Sequence, residues 1–456
     1  VIPHHGSQTS AERSATVITG RAIPWRGGER LVSPSDSSDS GTDEEEKRYS
    51  RRDVVKIGVF TAGGVAVGSA LGFLGGSGSR QQEVDSLNAR LAAITKIYNL
   101  PPLSSSISML NWSQYTNYAL LDGFVEKIKV QMDYSEAAQT EDDFRLQLKQ
   151  DNPNRYDIMV VTDYAVQEAI QAGKLVKLKK EYIPNLDYLD PSFNHSWDPT
   201  NDYSLPYLWG TTGIGWNQTL VKFPAGQTTL NSWAQFFDTS ANGFLAQNTG
   251  KVTVIADRDE ALAAAAIHLG KDVNDLSPGT LDQIKTLLLS VKPFLATFAA
   301  ADAYYTGLGS GSFFASHAWS GDVLFIREGP PRMPEIMYTI PNEGVHIWTD
   351  NYVIPINAPN PDTASVFINY MWEASNAAVL AMFRNYMIAN RLSLKGGALD
   401  TSTGGNAGMI IPYTLSQPDI NPYLTRPDLS GKLYSLRART ETENTALNTL
   451  WNQILA

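Results

Sequence analysis

The sequence predicts an α/β fold with mainly parallel sheets, divided into at least two lobes. From Ser106 onward, short apolar strand patterns alternate with amphipathic helix patterns, as in proteins whose helices cover parallel strands. The chain has 456 residues, which is more than one compact core accommodates. Its 43% hydrophobic residues and ten tryptophans are ample for more than one such core.

Individual segments carry the patterns on which this prediction depends. Four of them have the apolar or alternating pattern of strands: "SISML" (106–110), "KIKVQMDY" (127–134), "YDIMVV" (156–161) and "VTVI" (252–255). "EDDFRLQLKQ" (141–150) has a helical pattern. "TLDQIKTLLLSVKPFLATF" carries apolar residues at helical spacing, namely Leu281, Ile284, Leu287, Leu288 and Val291. We interpret "GTTGIG" (210–215) as a turn and a crossover between lobes.

The first hundred residues have a different character. Residues 1–49 are rich in serine, glycine and charge, which predicts a disordered leader. In residues 50–79, Arg51 and Arg52 precede Lys56 and a glycine-diluted apolar segment, which resembles a twin-arginine export signal. The alternatives are a chance arginine pair before a membrane helix, or an uncleaved N-terminal membrane anchor. Residues 80–105 are expected to form a linker helix.

Charge and composition exclude several classes of function. The net charge of −11 and the isoelectric point near 5.1 argue against a nucleic-acid partner, since such surfaces are basic. The absence of cysteine excludes disulfides, thiolate metal sites, cysteine nucleophiles and lipid-modified cysteine anchors. The six histidines show no metal-binding spacing, and no nucleophile-elbow motif is present. We therefore expect no metal and no cofactor.

Aromatic and acidic residues follow the predicted strands. In α/β sheets, ligands bind beyond the carboxyl ends of the strands, so these residues are the candidate site. Trp348 and Asp350 lie two apart on a strand and therefore point to one face. The candidates at the strand ends are Trp112, Ser113, Tyr115, Thr162, Tyr164, Asp257, Glu260, Trp319, Trp348 and Asp350. Each aromatic residue alone is more often explained by core packing, but the joint pattern is not.

These residue types suit an organic cation with several amines. Aromatic faces attract ammonium groups, and carboxylates supply charge-assisted hydrogen bonds. Several carboxylates along a slot would match several amines and reject a monoamine.

The stretch "ADRDEALAAAAIHLG" (256–270) allows two interpretations. Asp257 and Glu260 can cap the start of a helix, because a helix N-terminus leaves free N–H groups. They can also contact amines, and one aspartate can do both. Arg258 and Asp259 are expected to face solvent.

Four motifs resemble those of periplasmic spermidine/putrescine-binding proteins of ABC importers: "NWSQY" (111–115), "NDYSLPYLWGTTGIGWN" (201–217), "ADRDEA" (256–261) and "PNEGVHIWTDNYVIP" (341–355). The resemblance implies a two-lobed periplasmic-binding-protein fold of type II with the ligand in the cleft between lobes. It implies an exported, non-enzymatic, monomeric protein, which delivers a polyamine to a membrane ABC permease. The lobes expected from it comprise residues 106–212 with 350–374, and residues 213–349 with 375–456.

The resemblance also assigns roles to residues. It implies that Trp112 and Tyr115 form an aromatic pair and that Thr162 and Tyr164 match a Ser-x-Tyr element. Asp257 and Glu260 match an acidic pair, Trp319 a stacking indole, Trp348 with Asp350 a Trp-x-Asp element, and Tyr386 a late aromatic. Two positions depart from the family pattern. A serine of the family is lost near Ala300 or Ala301. A late glutamine of the family has no clear counterpart, because the alignment places residues 436–439 there, and an arginine in that position would repel an amine.

Two alternatives remain open from the sequence. The same fold could bind another organic cation, an opine or a sugar, because a fold does not determine a ligand. An exported glycoside hydrolase could use Asp257 and Glu260 as its acid pair. Glycosidase carboxylates, however, usually come from separate elements and lie about 5–10 Å apart.

Overall fold

We analysed a computed structural model, which describes residue 92 and residues 104–193, 195–390 and 431–456. The predicted leader, export signal and most of the linker helix lie outside the described residues. In the part of the chain that is described, no helix is long and apolar enough to cross a membrane.

The described residues alternate between strands and helices. The strands are β1 (Ser106–Trp112), β2 (Gln131–Ala138), β3 (Ile158–Thr162), β4 (Leu175–Val176), β5 (Ser204–Asn217), β6 (Val252–Ile255), β7 (Thr297–Ala299), β8 (Ala315–Trp319), β9 (Ile336–Thr339), β10 (Val345–Pro355) and β11 (Leu433–Tyr434). The helices are α1 (Tyr118–Ile128), α2 (Glu141–Lys149), α3 (Asp163–Gln171), α4 (Trp233–Phe236), α5 (Phe244–Gln247), α6 (Arg258–His268), α7 (Pro278–Val291), α8 (Ala301–Ser310), α9 (Ser320–Glu328), α10 (Pro361–Met371), α11 (Ala374–Arg384) and α12 (Glu441–Leu455).

Two long strands, β5 and β10, join the two halves of the sheet. Its order is β2-β1-β3-β10-β5-β8-β6-β7, with the short strands β4, β9 and β11 at the sides. The outer strands pair in parallel, whereas β10 and β5 pair antiparallel with each other and with their outer neighbours β3 and β8. We call the part built on β1–β3 the first lobe and the part built on β6–β8 the second lobe. The prediction of mainly parallel sheets therefore holds only outside the crossing strands.

Each lobe has its own buried aromatic side chains. Phe124 and Phe367 lie in the core of the first lobe, and Trp233 and Phe244 lie in that of the second. The cluster of the second lobe also includes Phe144 on α2, so apolar packing continues from one lobe to the other. The predicted division into residues 106–212 with 350–374 and residues 213–349 with 375–456 stays a prediction.

Several element predictions are confirmed and others are wrong. The strand "VTVI" and the helix that begins at Glu141 lie where the sequence places them. The strand predicted over 127–134 begins only at Gln131, because α1 continues to Ile128 and ends on Lys129 in the left-handed region, with φ of 64°. The helix predicted over 280–298 ends at Val291, and its last residues form β7.

The "GTTGIG" stretch is a crossing element but not a turn. It lies inside β5, the longest strand. A Cβ atom at Gly213 would lie 2.5 Å from the carbonyl oxygen of Thr339, which is closer than real Cβ contacts. Glycine therefore lets the backbone pass close to a neighbouring strand here.

Candidate functional site

One cavity collects the candidate residues. It has an empty volume of about 560 Å³. It is lined by Trp112, Ser113, Tyr115, Ala138, Gln139, Thr162, Tyr164, Asp257, Glu260, Ala301, Trp319, Asp322, Trp348, Asp350, Arg384 and Tyr386. All eleven residues singled out from the sequence are among them, and their contact with a ligand stays a prediction. Sequence reasoning did not single out Ala138, Gln139 or Arg384. It noted Asp322 only as a residue after a predicted strand, and Ala301 only as a place where a family serine is replaced.

Strand ends of both lobes deliver these side chains. Trp112 and Thr162 are the last residues of β1 and β3, and Trp319 is the last residue of β8. Asp257 follows β6 directly before α6. In the sheet, Asp350 on β10 stands opposite Thr162, which places the crossing strand beside the end of the first lobe. Trp112, Thr162, Trp319 and Asp257 therefore lie at the carboxyl ends of strands, where the sequence places them, whereas Trp348 and Asp350 lie within β10.

Asp350 is held by two hydroxyl groups. Tyr115 donates to its Oδ2 at 2.8 Å, and Thr162 donates to its Oδ1 at 2.8 Å. The side chain is buried. Burial raises the pKa of Asp350 to about 7, although both hydrogen bonds oppose this. The two hydrogen bonds therefore orient this carboxylate. Neither donor carries a positive charge that would neutralise it.

Asp257 caps α6 and lines the cavity at the same time. Its Oδ1 accepts from the backbone N–H groups of Asp259 at 2.9 Å and Glu260 at 3.2 Å. Its Oδ2 accepts from the backbone N–H of Glu141 on the first lobe at 3.3 Å. Burial, together with the nearby Asp259 and Glu260, raises the pKa of Asp257 to about 6. The two interpretations of this aspartate are compatible.

Glu260 does not complete a capping box. Its Oε1 accepts from the indole N–H of Trp319 at 3.0 Å, and its Oε2 lies 3.0 Å from Nδ1 of His346. Burial opposes ionisation of Glu260, but His346 outweighs it and holds the pKa of this carboxyl below its usual value. The same pairing raises the pKa of His346 against the effect of burial. Glu260 is thus an ionised carboxylate whose orientation is fixed by an indole and an imidazole.

Asp322 and Arg384 form an ion pair on the cavity wall. Arg384 Nη2 donates to Asp322 Oδ1 at 2.6 Å. The hydroxyl groups of Tyr304 and Tyr386 also donate to Asp322, at 2.6 Å and 3.1 Å. Asp322 lies in the first turn of α9, directly after β8, but nothing in the local sequence indicates that Arg384, 62 positions away, is its partner.

Aromatic rings form the remaining walls. Trp112 lies 6.2 Å from Trp319 between ring centres, in an edge-to-face arrangement. Tyr386 packs edge-on against Tyr115 at 5.5 Å and lies 5.4 Å from Trp348. The indole N–H of Trp348 donates to Thr212 at 3.0 Å, which fixes its ring. The cavity is therefore a slot with carboxylates set between aromatic faces.

The expectation that Arg258 and Asp259 face solvent is wrong. They are 4% and 1% exposed. Asp259 accepts from Arg145 of the first lobe at 2.7 Å, and also pairs with Arg258 and Arg439. Although burial opposes it, these guanidinium groups hold the pKa of Asp259 well below its usual range. The two residues are buried because α2 and the segment before α12 cover this end of α6.

The same ion cluster accounts for one departure from the family pattern. Arg439, which was expected to repel an amine, is engaged by Asp259 and is not among the residues that line the cavity. The other departure, the loss of a serine near Ala300 or Ala301, remains. Ala301 lines the cavity with a methyl group where a serine would present a hydroxyl.

Other candidate chemistry is not supported by the geometry. His317 is buried, packs edge-on against Trp233, and its pKa is lowered to about 4 by burial. The described residues contain no group of three or more histidine, aspartate or glutamate side chains arranged to hold a metal ion.

Comparison with known proteins yields a family and several relatives. Residues 123–398 match the family model described as bacterial extracellular solute-binding protein. A putrescine/cadaverine-binding protein of Pseudomonas aeruginosa is 30% identical over 311 residues, which cover 66% of this chain and 79% of that protein. A spermidine/putrescine-binding periplasmic protein of Escherichia coli is 28% identical over 297 residues, covering 64% of this chain and 80% of that protein. A structure described as a putative spermidine/putrescine ABC transporter from Listeria monocytogenes superposes with a TM-score of 0.66 at 24% identity, covering 77% of this chain and 99% of that one. The structural likeness supports the two-lobed fold.

Proposed function

Because the chain belongs to the bacterial extracellular solute-binding protein family, we propose that it captures a polyamine, spermidine or putrescine, and delivers it to an ABC importer. The observation that carries this proposal is the cavity itself. Four carboxylates and a set of aromatic faces converge there from the strand ends of both lobes. An alkyl chain with ammonium groups is the ligand that such walls complement.

The electrostatics of the cavity support a cationic ligand. Asp350 and Asp257 have raised pKa values because they are buried without a compensating cation. An ammonium beside each of them would supply that charge and would convert a desolvation cost into a paired contact. A neutral sugar would leave both carboxyls uncompensated.

The relatives support the wider role. The P. aeruginosa and E. coli proteins are named for the binding of diamines and of spermidine/putrescine, and the latter is periplasmic. We extend this to an exported, monomeric receptor that performs no catalysis and docks on a membrane permease. Export by the twin-arginine route, with or without a retained N-terminal anchor, belongs to the same proposal.

Binding would proceed by closure of the lobes on the ligand. Contacts from both lobes meet in the cavity, so a bound amine touches both only when they are together. A ligand that binds this arrangement better shifts the population toward it.

Calorimetric titration tests the proposal against its alternatives. We expect the full chain to bind spermidine or putrescine with a dissociation constant in the micromolar range or tighter, about −8 kcal/mol. Binding of a neutral sugar or an opine, with no heat from either amine, would refute the polyamine assignment. Hydrolysis of an oligosaccharide would instead support the glycosidase alternative.

A further inference from the structure

The four carboxylates of the cavity differ in what neutralises them. Asp350 receives hydroxyl donors and Asp257 receives backbone N–H donors, all of them uncharged. Glu260 faces the imidazole of His346. Among the described residues, Asp322 is the one of the four that forms an ion pair with an arginine, Arg384.

The guanidinium of Arg384 occupies surroundings that would suit a ligand ammonium. It bonds the Asp322 carboxylate, and its central carbon lies 5.9 Å from the ring centre of Tyr115 and 5.0 Å from that of Phe325. A carboxylate together with aromatic faces is the arrangement that recognises organic cations. The arginine side chain is only 5% exposed, so it is enclosed there.

We infer that Arg384 fills one amine subsite of the cavity with a cation of the protein's own and thereby restricts the ligand to a diamine. The inference rests on the proposed polyamine function and concerns the number of amines accepted. An arginine does not lose its proton in proteins, so it cannot yield this position by titration.

A ligand ammonium at this end of the cavity would be disfavoured twice. It would meet a like charge, and it would find Asp322 already engaged by Arg384, Tyr304 and Tyr386. Moreover, the Nε–H of Arg384 is buried with no acceptor among the described residues. This N–H group needs a hydrogen-bond acceptor, whereas a ligand ammonium offers only further N–H donors.

The opposite holds at the two remaining acidic positions. Among the residues that the structure describes, Asp350 and Asp257 are hydrogen-bonded by uncharged donors, and Glu260 faces the imidazole of His346 but no arginine or lysine. One ammonium at each matches a diamine such as putrescine. The third amine of spermidine would have to lie toward Arg384, where it meets a like charge.

The ratio of two dissociation constants tests this inference. The full chain is titrated calorimetrically with putrescine and with spermidine. We expect wild type to bind putrescine at least about tenfold more tightly, since juxtaposed like charges disfavour the triamine. Arg384→Gln removes the charge and leaves Asp322 without a cationic partner, so the ratio should shift toward spermidine by at least about tenfold, whereas Arg384→Lys should keep the preference for the diamine.

A matched control and a second variant keep the test decisive. Arg437→Gln removes the same charge from an exposed arginine that pairs with Glu443, and should leave the ratio unchanged. Arg384→Met replaces Arg384→Gln if the latter fails to fold. Wild type binding spermidine as tightly as putrescine, or a neutral variant weakening both amines equally, would overturn the inference while leaving the polyamine function intact. Wild type binding neither amine would overturn both.

Discussion

Amine binding is expected to weaken sharply as the pH falls from 8 to 5. Burial raises the pKa of Asp350 to about 7, and burial with neighbouring carboxylates raises that of Asp257 to about 6. The amines of the ligand stay protonated across this range, because their pKa values lie near about 10. Falling pH therefore removes negative charge from the cavity without changing the charge of the ligand.

The magnitude follows from the two pKa values. At pH 5 the ligand must displace a proton held about two pKa units above the solution pH at Asp350 and about one unit above it at Asp257. At about 1.36 kcal/mol per unit this amounts to about 4 kcal/mol, or roughly a thousandfold in the dissociation constant. His346 acts in the same direction, because Glu260 raises its pKa despite burial and it gains positive charge as the pH falls.

The ligand-free protein should respond to pH with the opposite sign. Folding raises the pKa values of both carboxyls above those of the unfolded chain, at about 3.8. Their contribution to the free energy of unfolding is therefore fully present below about pH 4 and is lost as the pH rises through 6 and 7. The stabilisation that putrescine adds should grow over the same interval.

Calorimetric titration measures the binding part of this prediction, and urea denaturation of the ligand-free protein at the same pH values measures the other. Putrescine is titrated at pH 5, 6, 7 and 8 at constant ionic strength, in buffers whose ionisation enthalpies differ, so that proton release is recorded directly. Asp350→Asn should lose the larger part of the pH dependence and retain about a tenfold change from Asp257. Affinity that is independent of pH, or that increases in acid, would refute the reasoning.

Four variants test other parts of the account. Asp350→Asn and Glu260→Gln should each weaken amine binding at pH 8 by more than about tenfold, or 1.4 kcal/mol, in calorimetric titration; normal binding by both would leave Glu260 without a ligand role. Asp259→Asn leaves Arg145, Arg258 and Arg439 without their shared, buried carboxylate and should lower the free energy of unfolding by about 3–5 kcal/mol in urea denaturation. A neutral effect would contradict the buried ion cluster. Replacing both Arg51 and Arg52 by lysine should leave the protein in the cytoplasm on cell fractionation, and unchanged export would disprove the twin-arginine assignment.

Local pattern predicted the parts of the site that depend on strand ends. Trp348 and Asp350 point to one face because strand side chains alternate, and this is visible in three consecutive letters. The N-cap role of Asp257 is equally local. The motifs around these residues also carried the family resemblance, which the comparisons confirm.

Long-range pairs set the limit of what the sequence predicts. Asp259 was expected in solvent because its partner Arg145 lies 114 positions away and Arg439 lies 180 positions away. Arg384 ends a helix two residues before Tyr386, and only the packing of α11 against α9 places it beside Asp322. Alternation in "KIKVQMDY" misled because α1 extends through Ile128, where its own buried face outweighs the strand pattern.

A crystal structure of the protein with putrescine tests the central claim most directly. We predict one ligand nitrogen within hydrogen-bonding distance of an Asp350 oxygen, about 2.7–2.9 Å, and the other at Asp257 or Glu260. The alkyl chain should lie between the aromatic walls, with no amine at Arg384. Putrescine bound elsewhere, or bound in this cavity with neither nitrogen at these carboxylates, would contradict the account.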